Sequence, residues 1–308
     1  MPLMFLGLYV DHRTSGPSAI AQYSEKIKSM ADDLAASGVL LVPTCSRVEF
    51  YGEAPALRNI PSEVFADFDF RRIEGEHEIA QRVAEIASGV RSPILGERNI
   101  IQQLEGAYKR LDPNLPIARI ARLGIDIGLT VRERHLFNAS FTYDQFVRDI
   151  MADQYQNGEP LDHLYLTGAS DLCVDLIKSG VGELFRSTTM VTRDPKNARK
   201  RLRRVTDKKV EFMRPEEFGH AREPSSFVVI TNSNLDDEYK AVLQNGILRM
   251  EPRTVVDLMA NPVMSDALVG KSNYVNMYDE EFLRSIEQNN EQLDPKVPLV
   301  CSDIEAAL

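Results

Sequence analysis

Apolar residues recur along the first third of the chain with two different periods. Residues 3–10 (LMFLGLYV) form a short apolar run of strand length. Residues 18–36 then place Ile20, Tyr23, Ile27, Met30 and Leu34 at helical spacing, with Gly38 just beyond as a C-cap. Two more strand-like runs, VLLVPT and VEFYGE, meet at Thr44-Cys45-Ser46-Arg47. The order predicts a small sheet with helices on one face. From about residue 76 to 155 only helical spacing remains, in EHEIAQRVAEIASGV, NIIQQLEGAYKRL and IARIARLGIDIGLTVRERHLF, separated by Gly89, Pro93, Pro113 and Pro116.

Asn157-Gly158-Glu159-Pro160 reads as a linker. Beyond it strand and helix alternate: LDHLYLTGAS leads into DLCVDLIKSGV, STTMVTR into DPKNARKRLRRV, and KKVEFM, SSFVVITNSN and TVVDLMA follow. That alternation predicts βαβ units on a parallel sheet. The expected organisation is an α+β N-terminal domain (small sheet plus helical subdomain) over 1–155 and an α/β Rossmann-like domain over 160–285. A C-terminal tail or small cap over 286–308, carrying two prolines, completes it.

At 308 residues the chain has room for about two domains. A 43% hydrophobic and 27% charged composition excludes wholesale disorder and fibrous architectures. Cys45, Cys173 and Cys301 are odd in number and widely spaced, which fits neither a disulfide framework nor a metal site and points to a reducing cytoplasm. The opening MPLMFLGLYVDHRT has no basic n-region or cleavage-like site, so neither a signal peptide nor a membrane span is expected. A net charge of −10 argues against a general nucleic-acid coat protein.

Four places hold candidate chemistry. Cys45 sits in a turn between strands with Arg47 two positions on, and a nearby guanidinium favours the reactive thiolate. Gly96-Glu97 opens an apolar-periodic helix, where a carboxylate suits the dipole. Gly168-Ala169-Ser170-Asp171 follows a strand and precedes a helix. This is the setting of a dinucleotide-binding turn, but Ser170 and Cys173 stand where further glycines belong. The run from Arg193 to Lys209 is strongly basic: Arg193 is placed for an adenosine 2′-phosphate, and the extended run for an RNA backbone. His12, closing the first strand, meets Cys45 if the two strands are neighbours.

In order and spacing, D-H-R-T, T-C-S-R-V-E-F-Y, A-S-G-V-R-S-P-I-L-G-E-R-N-I-I-Q-Q, V-R-E-R and the strand–glycine turn resemble glutamyl-tRNA reductase over residues 5 to 285. The resemblance implies an NADPH-dependent enzyme of tetrapyrrole biosynthesis. In it the Cys45 thiolate attacks the aminoacyl ester of glutamyl-tRNA to give a thioester, and hydride then releases glutamate-1-semialdehyde. It implies that Thr44 and Arg47 hold the substrate glutamate, that Ser92, Glu97, Gln103 and His12 line the same pocket, and that Gly168, Ser170 and Arg193 meet NADPH. A downstream aminomutase is an implied partner.

This sequence departs from the pattern at several points. The family's active-site histidine falls on Arg82, the asparagine after the cysteine is Ser46, L-D-S is Val90-Arg91-Ser92, and the second cofactor glycine is Ser170. The family's C-terminal dimerisation domain has no counterpart. The acylation half is therefore better kept than the reduction half. Two alternatives follow: a paralogue that forms an aminoacyl thioester and passes it to another acceptor, and a non-catalytic protein binding tRNA or a partner.

Overall fold

Side chains alternate across the first strands, and here both faces of the sheet are apolar. In β1 (Phe5–Asp11), β2 (Val39–Pro43) and β3 (Arg47–Glu53), Phe5, Leu40, Val42 and Tyr51 fall on one face. Leu6, Val10, Val39, Leu41, Val48 and Phe50 fall on the other. The computed structural model describes residues 4–152, 161–218, 220, 226–232, 235–264 and 273–308, and the linker expected at 157–160 lies outside them. It divides into two units, Met1–Phe141 with Ile286–Leu308, and Thr142–Ser285.

In the first unit the antiparallel sheet has the order β2-β3-β1-β4, with β4 at Arg71–Glu74. One face carries α1 (Pro17–Lys28) and α2 (Ala31–Ala36), and α3 (Ala54–Arg58) follows β3. The other face carries α4 (Glu76–Ser88), α5 (Asn99–Tyr108) and α6 (Pro116–Arg134). Helices on a single face were expected, but two-sided apolar alternation needs cover on both sides. The helix expected over 18–36 is likewise two helices, parted at Ser29-Met30. Between α4 and α6 the backbones nearly touch: a Cβ at Gly128 would stand 2.4 Å from Ala84 O. That crossing fixes which side chains of α6, Arg132 among them, turn toward the loop after α4.

The second unit begins with α7 (Tyr143–Ala152) and holds six parallel strands: β5 (Leu161–Thr167), β6 (Phe185–Val191), β7 (Glu211–Met213), β8 (Phe227–Ile230), β9 (Thr254–Asp257) and β10 (Asn273–Asn276). Their order, β10-β9-β8-β5-β6-β7, reverses between β5 and β8, as in a Rossmann-like sheet. Helices α8 (Asp171–Lys178), α9 (Pro195–Leu202), α10 (Pro215–Phe218) and α11 (Asp237–Met250) lie between these strands in sequence. In this α/β unit the inner strands β5, β6, β8 and β9 are almost continuously buried, which is why they read as apolar runs, while the edge strands β7 and β10 are not.

Residues 286–308, expected as a tail or small cap, are helical and belong to the first unit. The division between units falls inside α12 (Glu280–Leu293), and α13 (Val297–Ala307) packs Val300 and Ile304 against Ala84, Val131 and Phe137 of the first unit. Burial of that apolar stripe outweighs the two prolines, one of which sits in the first turn of α13, where its missing N–H is not needed. Among the described residues no helix is long and apolar enough to cross a membrane.

Candidate active site

The link between β2 and β3 is a four-residue hairpin closed by Thr44 N–H donating to Arg47 O at 2.8 Å. Thr44 Oγ1 accepts from Ser46 N and Arg47 N, at 3.2 and 3.1 Å, so its hydroxyl builds the turn. Thr44, Ser46 and Arg47 are buried and only Cys45 is exposed. Asp11 pairs with Arg47 across β1 and β3, and His12 N donates to Ser46 O at 2.9 Å, which brings His12 beside the turn.

The charge around Cys45 runs opposite to the expectation of an activated thiol. Burial around the sulfur, followed by the Glu97 carboxylate, pushes the thiol up to about 11, while Lys28 and Arg47 pull more weakly downward, although the residue as a whole is exposed. His12 is driven the other way: burial and the Arg47 charge lower it to about 4, so it is neutral at pH 7. Burial raises Glu97, against a partial offset from Ser92, Arg47 and Arg132.

Beneath the turn lies a cluster of buried charge. Arg82 on α4 donates from Nε and Nη2 to the two Glu49 oxygens, both at 2.8 Å, and from Nη2 to Asp11 Oδ2 at 3.0 Å. Its guanidinium stands 3.2 Å from the Tyr9 ring centroid. Tyr51 also donates to Glu49, and Arg47 Nη1 lies 3.5 Å from the same carboxylate. Burial pushes Asp11 and Glu49 up, but the two arginines outweigh it and hold both carboxyls below their usual range.

Arg47 was expected to be an open clamp for a substrate carboxylate. Its side chain has no exposed surface, and its Nη2 donates to Arg91 O. Folding beside Glu49 buries it as one of two cations balanced by two carboxylates. One donor is left over, for Arg47 Nε is buried without a partner, as is His12 Nδ1. The buried Ser92 hydroxyl lies near Glu97 without closing a hydrogen bond of good geometry. A strand arginine, a turn histidine and a loop serine thus hold buried polar atoms without a protein partner, which a polar ligand or water would satisfy.

The loop carrying Ser92 and Glu97 is held by Gly96, named above with Glu97, and by Arg132, which the sequence reading gave no role. Gly96 has φ +69°, and a Cβ there would meet Ala139 N at 2.8 Å and Phe137 O at 2.9 Å. Arg132, buried on α6, donates to the carbonyls of Ser88, Gly96 and Glu97. Its signal was present in V-R-E-R: position 132 continues the buried face of Ile125 and Gly128, where an arginine needs partners. Gln103, by contrast, is exposed on α5, outside the buried face of Ile100, Leu104 and Ala107, and nothing ties it to Cys45.

In the second unit Gly168 does follow β5 with φ +94°, and a Cβ there would press on the Asn232 backbone at 3.1 Å. The packing of two loops is thus enough to require this glycine. Ser170 caps α8, its Oγ accepting from Cys173 N at 3.2 Å. Asp171 opens the helix and is gripped by Arg201, whose other nitrogen donates to Ala169 O at 2.6 Å. Arg193, expected at a 2′-phosphate, instead bonds Asp236 at 2.7 Å and stacks over Tyr239. Among the described residues no cluster is able to hold a metal ion.

A family model described as glutamyl-tRNAGlu reductase, N-terminal domain, matches residues 10–115. Protein nfe2 of Rhizobium meliloti is 49% identical over 303 residues, 98% of this chain and 97% of that protein. Glutamyl-tRNA reductase of Methanopyrus kandleri is 24% identical over 298 residues, 92% of this chain and 71% of that protein. The solved glutamyl-tRNA reductase from Methanopyrus kandleri aligns over 98% of this chain and 78% of that one, at 18% identity and a TM-score of 0.46. The chain belongs to one family with protein nfe2, and its residues 10–115 match the N-terminal domain of glutamyl-tRNA reductase.

Proposed function

We propose that Cys45 takes an aminoacyl group from an aminoacyl-tRNA ester and holds it as a thioester. One observation carries the reading: Cys45 is exposed at the tip of a turn whose neighbours Thr44, Ser46 and Arg47 are buried, with His12 held beside it. The sulfur attacks the ester carbonyl carbon, the bond to the ribose oxygen breaks, and the proton lost by the thiol leaves on that oxygen. The thiol is weakly acidic at rest because burial, and after it the Glu97 carboxylate, disfavours the thiolate. A substrate ammonium set against Glu97 would cancel that charge and add a cation, so the substrate itself favours the thiolate.

NADPH is the cofactor the family suggests, and the glycine turn of the second unit fits it poorly. Ser170 Oγ already takes the Cys173 N–H that a phosphate would use, and Asp171 sets a carboxylate where a pyrophosphate would approach. Arg193 is already paired. The reaction proposed therefore ends in acyl transfer. An amine attacks the thioester, the carbon–sulfur bond breaks as the carbon–nitrogen bond forms, and a proton from the amine returns to the sulfur.

Incubation with glutamyl-tRNA and other aminoacyl-tRNAs, followed by mass spectrometry of the protein, tests the first step. An acyl adduct on Cys45, lost in Cys45→Ala and released by hydroxylamine, is expected; an unmodified protein would end the reading. Titration with NADPH, followed by its fluorescence, is expected to show no saturation, and saturable binding would restore reduction as the second step.

A further inference from the structure

Exposed cations of the first unit mostly meet a carboxylate: Lys26 reaches Asp67, Arg110 Asp32, Arg122 Asp126 and Arg134 Asp303. Residues 193–209 break that habit. They hold nine lysines and arginines against two aspartates, in a chain of net charge −10. The fold absorbs four of the nine: Arg193 pairs with Asp236, Arg201 with Asp171 and Lys208 with Glu183, while Arg199 stacks over Phe212. The side chains of Lys196, Lys200, Arg203, Arg204 and Lys209 are exposed and have no partner among the described residues.

Their spacing makes this costly. Lys196, Lys200 and Arg204 follow one another at i, i+4, as do Arg199 and Arg203, so like charges share one face of α9 and its last turn. The dipole favours cations only at the C-terminal end, leaving Lys196 in the first turn unfavourable. Nothing in the fold offsets this repulsion. A run of phosphates would.

We infer that α9 and the turn after it form a docking face for an RNA sugar–phosphate backbone, which in the reaction proposed above is the body of the aminoacyl-tRNA. The inference rests on that reading for the identity of the RNA and on the unpaired cations for the place. From Lys196 to Arg204 the charge extends roughly 12 Å along the helix. A lipid surface is a poorer match, because membrane-binding basic helices expose apolar residues opposite the charge, and here Ala198 and Leu202 are buried in the unit.

The test uses the full-length protein and a variant with Lys196, Lys200, Arg203, Arg204 and Lys209 all replaced by Gln, checked for folding by circular dichroism. Binding of fluorescein-labelled deacylated tRNA is followed by anisotropy from 50 to 300 mM salt, beside vesicles of phosphatidylserine and phosphatidylcholine. The expected result is at least a tenfold loss of tRNA affinity in the variant, with a salt slope shallower by about 3. Unchanged tRNA binding in the variant, no tRNA binding by the parent, or preference for the vesicles would each overturn the inference. Acylation of Cys45 by a small aminoacyl ester without tRNA, measured in both proteins, keeps the two readings apart. It is expected to be equal in both, and its loss in both would count against the acyl-transfer reading alone.

Discussion

Both units set arginine against carboxylate, and they do so under opposite conditions. In the first, Arg82, Arg47, Glu49 and Asp11 are buried together under the hairpin that presents Cys45. In the second, Arg201 and Asp171 meet in the open, beside the glycine turn. A buried pair has lost its hydration, so removing one member leaves an uncompensated charge, whereas an exposed pair exchanges its partner for water at little cost. The first cluster is therefore structural in its energetics, while the second acts through the sign of the charge it presents to an arriving anion.

The sharpest way to break this contrast is Arg82→Ala. It strands Glu49 and Asp11 and should cost about 3–5 kcal/mol in urea unfolding of the first unit; a loss below 1 kcal/mol would mean that the cluster is hydrated. Acid gives the next effect. His12 has a folded value of about 4 against an ordinary 6.5, so the unfolded chain binds more protons between those pH values. Stability should then fall by about 2–3 kcal/mol as the pH drops from 6.5 to 4, and fall further below 4 as Asp11 and Glu49 protonate. Thermal melts across pH 3.5–7.5 check this, and the His12→Asn variant should flatten the upper part of the curve.

Smaller effects probe the charges from outside. Glu97→Gln removes an anion that faces the thiol and should speed iodoacetamide labelling of Cys45 at pH 8 by roughly tenfold, about one unit of thiol acidity. A slower reaction would show that Glu97 aids the thiolate. Arg201→Ala should move unfolding by less than about 1 kcal/mol, because its ion pair is exposed.

The hairpin and its cysteine were legible because strand alternation reports directly on neighbours: β1 and β3 pair, and His12 follows. The same alternation put Tyr9, Asp11, Arg47, Glu49 and Tyr51 on one face. What it could not supply was the partner. Charged residues on a strand read as solvated until a helix brings Arg82 over them, and that approach depends on the α4–α6 crossing, a tertiary event. The burial of Arg47 was illegible for the same reason. In the α/β unit the order of strands and turns was readable from apolar runs, but Gly168 was ambiguous, since one glycine serves a loop contact as well as a phosphate. Residues 286–308 looked like a tail because their polar contacts, made by asparagines, have no periodic signature.

Those asparagines reach back across the whole sequence. Asn290 accepts from Leu95 N at 2.9 Å and donates to Pro93 O at 2.8 Å, and Asn289 donates to Leu95 O at 3.1 Å. The segment that delivers Glu97 is thus pinned by a residue 195 positions downstream. During synthesis the hairpin and sheet emerge well before α12, so the scaffold can assemble before the thiol's acidic neighbour is fixed. Setting the charge beside Cys45 then waits on a helix made much later, a delay between folding the frame and completing its surroundings.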